Sequence, residues 1–156
     1  MIRRNRAEEG SIFMNSDLIA KVVKNKRAEI RVALLRNNMV DVRIYFYFPD
    51  SPDPKPTKKG AWIAPKHLGQ IVNALEKLTK DPAVEVSLEF DLSRGTEKFK
   101  AYTGVYLKTK LFHIRTFYLK GNEYTPGKGV SFPVALAPQI YEALKTAKEK
   151  LGKESK

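Results

Sequence analysis

Residues 39–48 read Met39-Val40-Asp41-Val42-Arg43-Ile44-Tyr45-Phe46-Tyr47-Phe48, and their alternation decides the fold. Side chains on a strand point to opposite faces in turn. One face therefore takes Val40, Val42, Ile44, Phe46 and Phe48, and the other takes Asp41, Arg43, Tyr45 and Tyr47. The apolar set is expected against a core and the polar set toward solvent, as in an antiparallel sheet covered on one side only. Upstream, Leu18–Lys24 and Arg27–Arg36 are rich in β-branched residues and read as two more strands. Arg36-Asn37-Asn38 suits the hairpin turn, because Asn tolerates a left-handed backbone. Downstream, the prolines at 49, 52, 54 and 56 admit neither a helix nor a central strand, so residues 49–56 read as a loop. Gly60-Ala61-Trp62-Ile63 is then a short fourth strand. Pro65 opens a helix whose Leu68, Ile71, Val72, Leu75 and Leu78 share one side, and Asp81-Pro82 ends it.

The second half replays this order. At an offset of 69, Gly60 meets Gly129, Ile63 meets Phe132, Gln70-Ile71 meets Gln139-Ile140, and Ala74-Leu75 meets Ala143-Leu144. At an offset of 72, Leu35 meets Leu107, Arg36 meets Lys108, Val42 meets Ile114 and Arg43 meets Arg115. The change of three falls in the proline loop, where length varies most cheaply. The expected fold is α+β: two tandem strand-strand-strand-strand-helix units, 16–80 and 81–156, each a curved antiparallel sheet plus a helix. The apolar helix sides are hidden by packing helix to helix about a pseudo-twofold axis. Residues 1–15 carry Arg3, Arg4 and Arg6 beside Glu8, Glu9 and Gly10 without a period, and read as a flexible basic arm. The basic stretch from Lys145 to Lys156 reads as a solvated helix end and tail.

With 29 Lys and Arg against 17 Asp and Glu, the chain carries a formal charge of +12, which draws in polyanions. It has no cysteine, which excludes disulfides and thiolate zinc. No apolar run approaches the roughly 20 residues that span a bilayer, and the N-terminus lacks a signal-peptide core. A cytoplasmic protein, nucleoid-associated in a prokaryote, is expected, with no membrane partner. The two histidines, His67 and His113, have no metal-ligand spacing, and the aspartates at 17, 41, 50, 53 and 91 form no two-metal cluster. There is no phosphate-cradling glycine loop. The expectation is a non-enzyme without metal or cofactor; a nuclease is the catalytic alternative. His67, in a helix's first turn, reads as a surface residue.

The candidate binding residues mix cations with flat rings. Bases stack on aromatic planes for about 1–3 kcal/mol each, and guanidinium groups meet phosphates. In the first unit these residues are Arg31, Arg36, Arg43, Tyr45, Tyr47, Lys55, Lys58, Lys59 and Trp62. In the second they are Tyr102, Lys108, Lys110, Arg115, Phe117 and Lys128. Lys58-Lys59-Gly60 and Lys128-Gly129 set a lysine beside a glycine, which lets backbone approach a phosphate. Trp62 suits either a core or a stacking platform, and His113 either a stacking or an inert role. In the second strands, Arg27, Glu29 and Arg31 fall at the opposite parity to Lys98, Lys100, Tyr102 and Tyr106. Either a bulge or a one-residue slip separates the two copies there. Tyrosine's preference for strands is the competing account of these rings.

Val40-Asp41-Val42-Arg43-Ile44-Tyr45, then Lys55-Pro56-Thr57-Lys58-Lys59-Gly60 and a helix, resembles the positive cofactor four transcriptional coactivator family. Phe112-His113-Ile114-Arg115 with Pro126-Gly127-Lys128-Gly129 is similar, with His where that pattern has Asp. The likeness covers roughly residues 17–150 and extends to the Whirly and Pur-type proteins. It implies a curved sheet, helices meeting at a dimer axis, and binding of single-stranded or melted DNA along the sheet. Arg43, Lys58, Lys59, Arg115 and Lys128 match that family's basic positions, and Phe46 and Tyr118 an aromatic one, although alternation buries Phe46. The covalent tandem, the longer proline loop and the lack of an acidic or Ser-rich arm depart from it. The expected function is sequence-tolerant binding of single-stranded DNA, in transcription, replication or repair, by a monomeric pseudo-dimer or a dimer of it. RNA binding or annealing is one alternative. A module contacting polymerase or other transcription or replication machinery is another.

Overall fold

The computed structural model describes residues 16–92 and 95–154, so the arm expected at 1–15 lies outside the described residues. Four strands, β1 (Asp17–Asn25), β2 (Ala28–Leu34), β3 (Val40–Phe46) and β4 (Lys55–Ile63), are followed by helix α1 (Pro65–Lys80). Four more, β5 (Ser87–Asp91), β6 (Glu97–Tyr106), β7 (Thr109–Lys120) and β8 (Glu123–Pro133), are followed by a 3₁₀ turn and helix α2 (Ala137–Glu154). Each set of four is an antiparallel meander in sequence order. The tandem α+β architecture is therefore as expected. Pro56 lies inside β4 rather than in a loop, and the sheet tolerates it because β4 is an edge strand.

Val22, Ile30, Val32, Val40, Val42 and Ile44 bury one face of the first sheet, and Phe99, Ala101, Phe112, Ile114, Val130 and Phe132 one face of the second. Both faces share a single core with Leu68, Ile71, Leu75 and Leu78 of α1 and Ile140, Ala143, Leu144 and Ala147 of α2. Each large apolar side chain fully buried in this way stabilises by about 1.5–3 kcal/mol. The pairs matched by the offset of 69, such as Ile71 with Ile140 and Leu75 with Leu144, are buried alike. Phe46 is half-buried against this core, but Phe48 lies beyond the end of β3 and is exposed, contrary to the alternation.

The two units do not stand side by side as closed domains. Helix α1 packs on α2, β4 lies along β8, and like touching like is the mark of a twofold relation. The helices also cross over: α2 lies against β1 and β2 of the first sheet, and α1 touches β5 of the second. Lys150 of α2 pairs with Asp17 of β1 at 2.7 Å. Tyr141 of α2 donates to Glu76 of α1 at 2.9 Å. Lys77 and Lys80 suit the negative C-terminal end of α1.

His67 is not a surface residue. It is 8% exposed, stacked on Phe90 at 4.2 Å and beside Phe99 at 6.1 Å, so the first turn of α1 plugs into the second sheet. Burial, with Lys66 adding to it, lowers the His67 pKa. A base that the fold keeps neutral takes its proton more readily when unfolded. Stability is thus present above the ordinary imidazole pKa of about 6.5 and is lost as pH falls through it. Thermal unfolding followed from about pH 7.5 to about pH 5.5 is expected to weaken less steeply in His67→Leu than in the parent. Identical slopes would show that this ring is not coupled to folding.

The hairpins differ. Asn38 adopts φ 66° in the first turn, as its residue type suggested. The second hairpin runs three residue pairs further, through Gly104↔Leu111, Val105↔Lys110 and Tyr106↔Thr109. Leu35 is consequently 2% exposed and Leu107 80%, so the match of Leu35 with Leu107, and of Arg36 with Lys108, does not hold. Val105, Tyr106 and Leu107 form an exposed apolar tip, and Leu107 and Lys108 turn with positive φ.

Candidate functional site

The register places the face opposite the core. On the first sheet, Arg31 lies across from Arg43, Glu29 from Tyr45, Asp41 from Trp62, and Arg43 from Gly60. On the second, Lys100 lies across from Arg115, Tyr102 from His113, Arg115 from Gly129, and His113 from Ser131. Residues directly across an antiparallel pair share a face. Arg31 is therefore the counterpart of Lys100, at an offset of 69 rather than 72. The slip between the second strands is resolved as three residues, all in the longer hairpin, and an odd slip reverses parity.

One constellation results, built twice. The Arg31 guanidinium lies 4.4 Å from the Tyr45 ring centroid, and the Lys100 ammonium lies 4.4 Å from that of Phe117. Arg43 Nη1 donates to the Thr57 carbonyl at 2.7 Å, and Arg115 Nη1 to the Gly127 carbonyl at 2.7 Å. In both sheets the pairing with the last strand shifts just after the arginine, between Arg43 and Tyr45 and between Arg115 and Phe117. The extra residues sit in β4 and β8, so alternation along β3 continues unbroken and Phe46 stays on the core side. The aromatic position that the family resemblance assigns to Phe46 is thus not on this face. Gly60 has a reason to be glycine: a Cβ there would come within 2.5 Å of the Arg43 guanidinium that lies across it.

The electrostatics of the copies differ. Arg43 pairs with buried Asp41 at 3.0 Å, and its side chain is 14% exposed. Burial raises the Asp41 pKa, opposed by Arg43 and, more weakly, by Trp62. Arg115 instead meets the Ser131 hydroxyl at 3.1 Å, and His113, at the position of Asp41, meets that hydroxyl at 2.7 Å. Burial, with Arg115, lowers the His113 pKa. Among the described residues Arg115 has no carboxylate partner, whereas Arg43 has Asp41. On the same face Tyr102 stacks on His113 at 4.8 Å and lies 6.0 Å from Phe117.

Carboxylates trim the remaining charge. Glu29 pairs with Arg31 at 2.6 Å and accepts from the Tyr47 hydroxyl. Burial works to raise its pKa, but those two hydrogen bonds prevail and lower it. Glu89 on edge strand β5 pairs with Lys98 at 2.9 Å and Lys100 at 3.3 Å. A shallow cavity of about 400 Å³ lies here, walled by Lys100, Tyr102, Phe117 and Glu89 among others.

Of the sequence candidates, Arg31, Arg43, Tyr45 and Trp62 share the first face, and Tyr102, Arg115 and Phe117 the second. Tyr47 sits just past β3 and leans on Glu29. Lys58 and Lys59 are exposed on β4, whereas Lys55 lies across from Phe46 and so off the Arg43 face. Arg36 and Lys108 are exposed in their turns. Lys110 is spent internally, donating to the carbonyls of Pro82 and Val84 at 2.9 and 2.6 Å. Lys128 belongs to the second unit yet borders the first unit's Arg43 and Trp62. Lys98, Lys100 and Ser131 were missed as site residues; one offset of 69 through β6 and β8 would have found Lys100. Among the described residues no three His, Cys, Asp or Glu gather as metal ligands, and no helix is long and apolar enough to cross a membrane.

No protein-family model matches the chain, and no curated protein matches it.

Proposed function

We propose that this chain is a non-catalytic, sequence-tolerant binder of single-stranded DNA, using both open sheet faces. The carrying observation is the repeated constellation of a cation over a ring, Arg31 with Tyr45 and Lys100 with Phe117, each beside an arginine fixed by a backbone carbonyl. A ring on an open sheet face offers a plane to an unpaired base. A duplex keeps its bases stacked on one another and cannot use that plane. The formal charge of +12 supplies the long-range attraction. The second face is the stronger half, because among the described residues no carboxylate pairs with Arg115 as Asp41 pairs with Arg43.

Anisotropy titrations with oligo-dT, duplex DNA and single-stranded RNA at two salt concentrations test this reading. Oligo-dT is expected to bind tighter than duplex, with log affinity falling by about 0.7 per phosphate contact for each unit of log salt. Duplex binding as tight as oligo-dT would sink it. Tighter RNA binding would assign the same faces to RNA, and affinity indifferent to salt would favour a protein partner such as a polymerase.

A further inference from the structure

Where β4 and β8 run alongside each other, a cavity of about 460 Å³ opens that neither repeat builds alone. The first repeat contributes Arg43, Pro56, Thr57, Lys58, Gly60 and Trp62, and the second contributes Lys128. Its volume lies within the roughly 300–1,000 Å³ range of small-ligand sites. Its walls carry one flat indole, a glycine floor over which a guanidinium lies, and two exposed lysines from different repeats. Among the described residues no carboxylate lines it, and the nearby Asp41 is engaged by Arg43. A planar group beside cations, without a compensating acid, selects a ligand that is itself flat and anionic.

We propose that this cavity seats one nucleotide of a bound single strand, with its base on Trp62 and its phosphate between Lys58 and Lys128. The seat rests on the single-strand reading above and adds a path to it. It lies on the first sheet's face where Lys128 of the second repeat borders it, so a strand seated there is led toward the second repeat. The covalent tandem then acts as one continuous site rather than as two independent ones.

Trp62 is the only tryptophan in the chain, so indole emission reports on this cavity alone. Oligo-dT is expected to quench that emission, saturating at the concentration where anisotropy of a labelled oligo-dT saturates. Trp62→Ala is expected to lose about tenfold in affinity, while Trp62→Phe, which keeps a ring, stays near the parent. Lys58→Ala with Lys128→Ala is expected to reduce the salt slope by about 1.4, two phosphate contacts' worth. Circular dichroism checks that each variant is folded. If anisotropy rises while the emission and the salt slope of the double variant stay unchanged, the strand bypasses the cavity and this inference is overturned, with the single-strand reading intact. If oligo-dT raises no anisotropy at all, the single-strand reading itself fails and takes the seat with it.

Discussion

Asp41→Ala is expected to cost about 3 kcal/mol of stability, measured by urea unfolding, even though Asp41 lies on the face away from the core. The carboxylate is buried, and it holds the Arg43 guanidinium at 3.0 Å while Arg43 Nη1 reaches the Thr57 carbonyl. Removing it strands a largely covered cation, which costs more than the pair contributes. Removing both partners is therefore expected to cost less than the two single losses added together. A double variant at the full sum would show that the two groups act independently. The pH dependence has a definite sign. Burial raises the Asp41 pKa in the fold, so the stability it contributes is fullest at low pH and fades as pH climbs through the raised value. The advantage of the parent over Asp41→Asn is therefore expected to widen on acidification. A gap that closes instead would contradict the burial-dominated account.

The largest effect on binding is expected from the rings. Tyr45→Ala with Phe117→Ala removes both stacking planes, each worth about 1–3 kcal/mol to an unpaired base, so oligo-dT affinity is expected to fall by at least about thirtyfold. Both rings lie on open faces under a cation at 4.4 Å, so their loss leaves the core untouched. Tyr45→Phe with Phe117→Tyr is expected to retain binding, since the planes remain. Anisotropy with labelled oligo-dT measures both variants. An alanine pair that binds as the parent does would remove the sheet faces from the site.

Much of this was legible in the chain because β structure writes its faces into alternate residues. Val40, Val42 and Ile44 went inward and Arg43 and Tyr45 outward as their spacing required, and Pro65 and Asp81-Pro82 bounded α1. The duplication was visible for the same reason: Ile71 and Ile140, or Gly60 and Gly129, face the same physical demand twice. What stayed hidden involves distance along the chain. His67 looked exposed because its own helix gives no hint that Phe90 and Phe99 await it. Lys110 looked available until its ammonium was found on the Pro82 and Val84 carbonyls. Lys100 escaped because the second hairpin is three residue pairs longer, and a difference of odd length silently reverses which face a strand seems to show.

The crossing of the helices has a consequence for how this molecule comes apart. With α2 against β1 and β2, and His67 of α1 wedged beside Phe90 and Phe99, neither half carries a complete covering of its own. A protease nick in the connector between α1 and β5 would leave two interlocked fragments that still migrate as one particle. Either fragment produced alone would expose greasy surface until it met its complement.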